Sequence, residues 1–194
     1  RIYNEDETDL SKRHPELIEQ IYKRNHDKFF LYLHYESIHT TIRKDVLEKY
    51  DNFNQKYFEN KKENFERYDL LFKNAEEYLK KIFEKITELN LDKNSIIVIY
   101  SDHGVSLGEK FGERAYGAFC YDYTLRTFTY FSIPEYNQKS INQQIRTVDI
   151  LPTILELLEI PIDKKYDSLD GVSLVPLIKG DKLIENYAFS ETGN

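Results

Sequence analysis

Asp102 and His103 stand side by side in Ser101-Asp102-His103-Gly104, directly after the apolar run Ile96-Ile97-Val98-Ile99-Tyr100. A carboxylate beside a neutral imidazole can offer one oxygen and one nitrogen to a divalent cation. The apolar run, β-branched and closed by a glycine turn, reads as a buried strand of a parallel sheet. Open α/β sheets bind their ligands just beyond the carboxyl ends of such strands. Gly104 lets the backbone turn sharply, so that both side chains can face one crevice. A competing reading has Asp102 capping the next helix and His103 bonded to loop backbone. A tetrapeptide alone does not separate the two.

The elements that must position this pair follow from periodicity. Residues 1–14 are polar and read as a loop or linker. Pro15 to Asn25 can form a helix with Leu17, Ile18, Ile21 and Tyr22 on one face. Phe29 to Tyr35 reads as a second buried strand, followed by the polar loop Glu36-Ser37-Ile38-His39-Thr40-Thr41. Residues 43–62 are charged and poorly defined. From Asn64 to Leu89 the helical period is clear, with Phe65, Tyr68, Phe72, Leu79, Ile82 and Ile86 on one stripe. Asn90 and Asp92 end that helix. A loop of glycines and charges spans Val105 to Gly117, and Thr127 to Ile133 reads as a third strand. Asp149 is the expected N-cap of an apolar helix over 150–158, with Pro152 in its first turn. Alternating strands and helices predict an α/β fold with an at least partly parallel sheet.

The chain has 194 residues, enough for one core, and is read as a single α/β unit over 1–194 with a linker and helix over 1–27 leading into it. Its net charge of −7 argues against general binding to nucleic acid or anionic membranes. An anionic substrate would then need a local positive centre. No apolar run approaches the ~20 residues that span a bilayer. The lone Cys120 excludes an internal disulfide and reads as a buried structural thiol among aromatics. The compartment is not fixed by these features, the cytoplasm being slightly favoured. The 16 Tyr and 12 Phe invite a sugar-binding reading, which core and helix-face packing accounts for more simply. The chain starts at Arg1 and contains no Met, so a piece of a longer polypeptide is expected.

Five segments in order resemble the sulfatase family, in the alkaline-phosphatase-like superfamily. They are Phe29–Tyr35 with His39; Ser101-Asp102-His103-Gly104-Val105-Ser106-Leu107-Gly108-Glu109; Tyr121–Arg126; Val148–Leu155; and Asp170–Leu177. The resemblance covers roughly 28–192. It implies an alkaline-phosphatase-like mixed sheet flanked by helices, with only part of the domain present. It also implies metal-dependent hydrolysis of a sulfate ester by a nucleophile on an N-terminal segment not found here, the remaining N-terminal half of the same protein.

In that resemblance Asp102 and His103 are metal ligands, and His39 donates to the ester or its leaving oxygen. One divalent metal is implied, Mn, Zn, Ca or Mg. A His ligand tilts the choice toward Mn or Zn, whereas many relatives carry Asn where His103 stands. Relatives usually place a His or Lys about a dozen residues after the metal-binding His, facing the ester oxygens. Here that position holds Tyr116, and Lys110 or Arg114 is the candidate replacement cation. His34 reads as structural; His14 and His26 read as exposed and without a role. The substrate implied is a small-molecule or carbohydrate sulfate or phosphate ester. A phosphodiester or phosphonate-ester hydrolase or a phospho-headgroup transferase of the same superfamily is the first alternative. A non-catalytic binding or scaffold relative is the second.

Overall fold

The structure, a computed structural model, describes residues 9–24, 28–38, 55–113, 119–134, 136–162, 169–183 and 187–191. They fall in two compact units, Arg1–Asn94 with Val105–Ala118, and Ser95–Gly104 with Phe119–Asn194.

The first unit is helical. α1 (Leu10–Arg24) starts earlier than its sequence suggests, because the Asp9 carboxylate accepts hydrogen bonds from Ser11 N (3.0 Å) and Ser11 Oγ (2.7 Å). That cap holds the first turn and leaves Pro15 inside the helix, where it cannot donate a backbone bond. α2 (Gln55–Glu59) precedes the long α3 (Lys61–Glu88), which ends as expected at Asn90, in left-handed conformation with φ 56°. α1 packs on α3, burying Ile18 on one helix and Tyr78, Ile82 and Ile86 on the other. His14 Nδ1 lies 2.7 Å from the Tyr78 hydroxyl, so this histidine joins the two helices and is half-buried, contrary to its exposed reading. The Tyr35 ring stacks on Tyr78 at 4.2 Å. Burial, then the neighbouring Tyr35, pushes the Tyr78 hydroxyl well above the usual phenol range.

The strand expected over 29–35 is not formed among the described residues. Its backbone carries no ladder, and Phe30 and Tyr32 are exposed. An apolar alternating run becomes a strand only beside another strand, and none of those described pairs with it.

The second unit holds the sheet. β1 (Ile97–Tyr100) pairs with β2 (Thr129–Ser132), with α4 (Asp122–Leu125) between them. The pairing is antiparallel, Ile97 opposite Ser132 and Tyr100 opposite Thr129, so the parallel partner expected for β1 is not among the described strands. No residue of β1 is buried, although its sequence is that of a strand covered on both faces.

Beyond β2 a short 3₁₀ turn (Thr147–Asp149) leads into α5 (Ile150–Leu157), and α6 (Val175–Lys179) packs on α5. Asp149 does not cap α5 with its side chain. The carboxylate turns back instead, accepting from Arg146 N (2.9 Å), Arg146 Nη2 (2.7 Å) and Val172 N (2.9 Å). Thr153, fully buried, donates to Asp149 O (2.6 Å) and accepts from Leu174 N (2.9 Å). Gly171 completes this knot, since a Cβ there would run into the Val148 carbonyl. Cys120 is exposed, not buried; its thiol lies 3.6 Å from the Ser190 carbonyl. No helix among the described residues is long and apolar enough to cross a membrane.

Candidate active site

The Asp102-His103 turn is fixed at both ends. At its start, Ser101 N donates to Phe128 O (3.2 Å) and Phe128 N donates to Ser101 Oγ (3.2 Å), carrying the β1–β2 ladder one residue further. At its end, Gly104 N donates to Thr124 O (2.8 Å), tying the turn to α4. The glycine is required there by proximity, because a Cβ would collide with the Tyr123 carbonyl. Its φ is not in the left-handed region, so the turn alone would not demand it.

Between these anchors the two side chains face each other. Asp102 Oδ1 accepts from His103 N (2.9 Å), which sets the carboxylate. His103 Nδ1 lies 2.7 Å from the Gly104 carbonyl. A carbonyl only accepts, so Nδ1 carries a proton, and in the neutral imidazole Nε2 is the nitrogen left with the lone pair. Nε2 is 3.6 Å from Asp102 Oδ2. A cation held at the usual ~2.0–2.2 Å from each donor fits between atoms at that separation. A backbone carbonyl that fixes the tautomer of a ligating imidazole is a common support for such a ligand. Both groups are accessible, their side chains 78% and 42% exposed for Asp102 and His103. Two donors do not complete a coordination shell, and among the described residues no group of three His, Cys, Asp or Glu could hold a metal.

Lys110 is exposed on a loop of the first unit. His39 and Arg114 lie outside the described residues, as does Tyr116. His34 is exposed and sits 3.6 Å from the Glu36 carboxylate. Sequence reasoning missed the cage around the 106–113 loop, where Asn64 Nδ2 donates to Tyr57 O (2.8 Å) and Leu107 O (3.0 Å). The glycines at 108 and 112 were the available signal, since both take positive φ.

A sulfatase family model matches residues 3–160. The chain therefore belongs to the sulfatase family. It is 31% identical over 101 residues to the "Ulvan-active sulfatase" of Formosa agariphila, a match covering 50% of this chain and 19% of that protein. Among solved structures it is similar to that of Ps i-CgsB, with a TM-score of 0.65 and 23% identity, covering 89% of this chain and 38% of that one. The structure of Ps i-CgsB in complex with k-i-k-neocarrahexaose matches equally well, with a TM-score of 0.65, 22% identity and the same coverage. The fold is mixed α/β and matches part of these structures, in line with the partial alkaline-phosphatase-like domain that the resemblance implied, although the described sheet is a small antiparallel one and not the mixed sheet expected. The chain spans about two fifths of the length of these solved relatives.

Proposed function

We propose that this chain supplies the metal-binding turn of a sulfatase that hydrolyses sulfate esters of a carbohydrate. Family membership supports the reaction class. The single observation that carries the site is the apposition of His103 Nε2 and Asp102 Oδ2 at 3.6 Å, with the imidazole tautomer fixed by the Gly104 carbonyl. The names of two relatives support the substrate class, one being ulvan-active and the other bound to neocarrahexaose.

Asp102 and His103 are the proposed ligands of one divalent cation, which when bound would neutralise charge on the ester oxygens. Lys110 or Arg114 is the proposed second positive centre toward the ester oxygens, and His39 the proposed proton donor to the leaving oxygen. The nucleophile and the remaining acidic ligands are proposed to lie on sequence outside this chain, so the 194-residue polypeptide alone is expected to release no sulfate. Tyr116, where relatives carry a cation, keeps phosphate-ester hydrolysis as the second reading.

Asp102→Ala and His103→Ala in a protein that contains this chain and turns over should each lower bound metal, measured by elemental analysis, and sulfate release together. Unchanged metal content and unchanged turnover in both variants would sink the assignment. Release of phosphate but not sulfate from matched esters would select the second reading.

A further inference from the structure

α4 is a single helical turn, too short to hold its conformation unaided, and its N-cap Tyr121 makes no side-chain cap bond. Thr124, 5% exposed, supplies a hold from inside the turn. Its hydroxyl donates to Tyr121 O (2.9 Å) and, more weakly, toward Phe119 O (3.3 Å), one proton shared between two carbonyls. Tyr121 N donates to the same Phe119 carbonyl at 3.0 Å, so the approach to α4 and α4 itself close on one hydroxyl. The backbone carbonyl of Thr124 faces the other way and accepts from Gly104 N at 2.8 Å.

Gly104 is thereby held through both of its backbone groups, the N–H by Thr124 O and the carbonyl by His103 Nδ1 at 2.7 Å. A glycine restricts its own dihedrals less than any other residue, so the direction of that carbonyl is set by what its neighbours impose. The neighbour is α4, whose Tyr123 carbonyl lies where a Cβ of residue 104 would stand. That same Gly104 carbonyl fixes which imidazole nitrogen carries the proton. A continuous line of contacts therefore runs from the Thr124 hydroxyl through α4 and Gly104 to the His103 ring, and every member belongs to the second unit.

We propose that Thr124 is a positioning residue for His103. Its hydroxyl fixes α4 so that the Gly104 carbonyl keeps the neutral imidazole in the Nδ1–H form, leaving Nε2, beside the Asp102 carboxylate, as the nitrogen for a metal. This rests on the metal-binding reading of the turn and deepens it, since it names a residue outside the turn that sets the ligand's tautomer.

Nitrogen NMR of the 194-residue chain labelled with ¹⁵N at histidine tests it without any metal, at about pH 8.5, where an ordinary imidazole is neutral. The His103 signal is assigned by its loss in His103→Gln. The wild type should be mainly Nδ1–H. Thr124→Val, of the same shape, and Thr124→Ala, smaller and unable to clash, should each lower the ratio of the Nδ1–H to the Nε2–H form about fivefold, and Thr124→Ser should restore it. Either hydroxyl-free variant that still melts cooperatively is decisive. An unchanged ratio in such a variant would overturn the proposal, even with a lowered melting temperature, because a hydroxyl that only supports packing moves the melt and not the tautomer. A wild type that is mainly Nε2–H, or a serine variant that is not restored, would overturn it too. Titration of a longer protein containing this chain with Mn²⁺ and Zn²⁺ separates the two readings. A tautomer that depends on Thr124 in a protein that binds neither cation leaves the positioning role standing and removes the metal. Cation binding lost in Asp102→Ala, with a tautomer untouched by the Thr124 variants, does the reverse.

Discussion

Asp102 and His103 offer unlike donors, and this gives a substitution at His103 a direction. His103→Asn exchanges a borderline nitrogen for a hard amide oxygen, so metal preference should move from Mn or Zn toward Ca or Mg. Titration of both proteins with each metal checks it; an unchanged order of affinities would remove His103 from the shell. The apposition of these two side chains was legible because neighbours in sequence share one turn. Asp149 was only half legible: its place at a helix start was readable, but its partner Val172 N lies 23 residues away and left no local trace. The same holds for His14 and Tyr78, 64 residues apart. Asp149 is 2% exposed, and burial alone would raise its carboxyl. The Arg146 guanidinium, the amides of Val172 and Arg146 and the Arg146 charge outweigh that burial, leaving it below the usual carboxylate range. A carboxyl depressed by folding stabilises the native state above its unfolded value of about 3.9, and that contribution is lost as pH falls through the folded value. Asp149→Asn should therefore cost about 3 kcal/mol at pH 7, where Arg146 is left with a neutral partner, and the penalty should shrink in acid. Urea denaturation of both proteins from pH 7 downward measures it, and a penalty independent of pH would contradict the assignment.

At the scale of elements, periodicity served where an element makes its own hydrogen bonds and failed where it borrows them. The helix read over 64–89 is α3 at Lys61–Glu88, because its apolar stripe is complete within one segment. The run Phe29–Tyr35 is largely apolar but forms no ladder among the described residues, since a strand needs a partner that its own sequence cannot supply. Pro15 misled for a different reason: its fixed φ suits a first turn, yet the Asp9 cap begins α1 upstream of it. Glycines act by two mechanisms here, and the two give different penalties. Gly104 is pressed against the Tyr123 carbonyl at ordinary φ, whereas Gly112 has positive φ with nothing within 4 Å of where a Cβ would stand. Gly104→Ala must therefore part the Asp102-His103 turn from α4, at about 2–3 kcal/mol, and weaken the metal binding proposed for that turn. Gly112→Ala should cost about 1 kcal/mol from backbone strain alone and leave metal affinity unchanged. Thermal melts with and without metal compare the two; equal losses of metal affinity would show that the Gly104 contact does not position the turn.

For the whole molecule, the sheet carries the argument. Ile96 to Ile99 is a continuous apolar run of the kind that suits a strand covered on both faces, yet none of these residues is buried and Tyr100 is 39% exposed. The described sheet has two strands, and a lone two-stranded ribbon is at best marginally stable in water. The fold matches 89% of this chain but only 38% of its solved relative, so the relative has further polypeptide with which to cover such surfaces. The helical pair of the first unit is in a different position, since α1 and α3 already bury Ile18, Tyr78, Ile82 and Ile86. These facts predict an uneven pattern of amide exchange in the 194-residue chain alone. Amides of 97–100 and 129–132 should exchange within the earliest time points, while those of α3 around Tyr78–Ile86 should be protected. In a longer protein that carries this chain within a complete sulfatase domain, the ribbon amides should gain protection and sulfate release should appear with them. Exchange followed by mass spectrometry on both proteins reads this directly. Strong protection of the ribbon in the short chain would mean that its own residues complete the sheet, and the proposal that the Asp102-His103 turn is separated here from the rest of a catalytic apparatus would have to be abandoned.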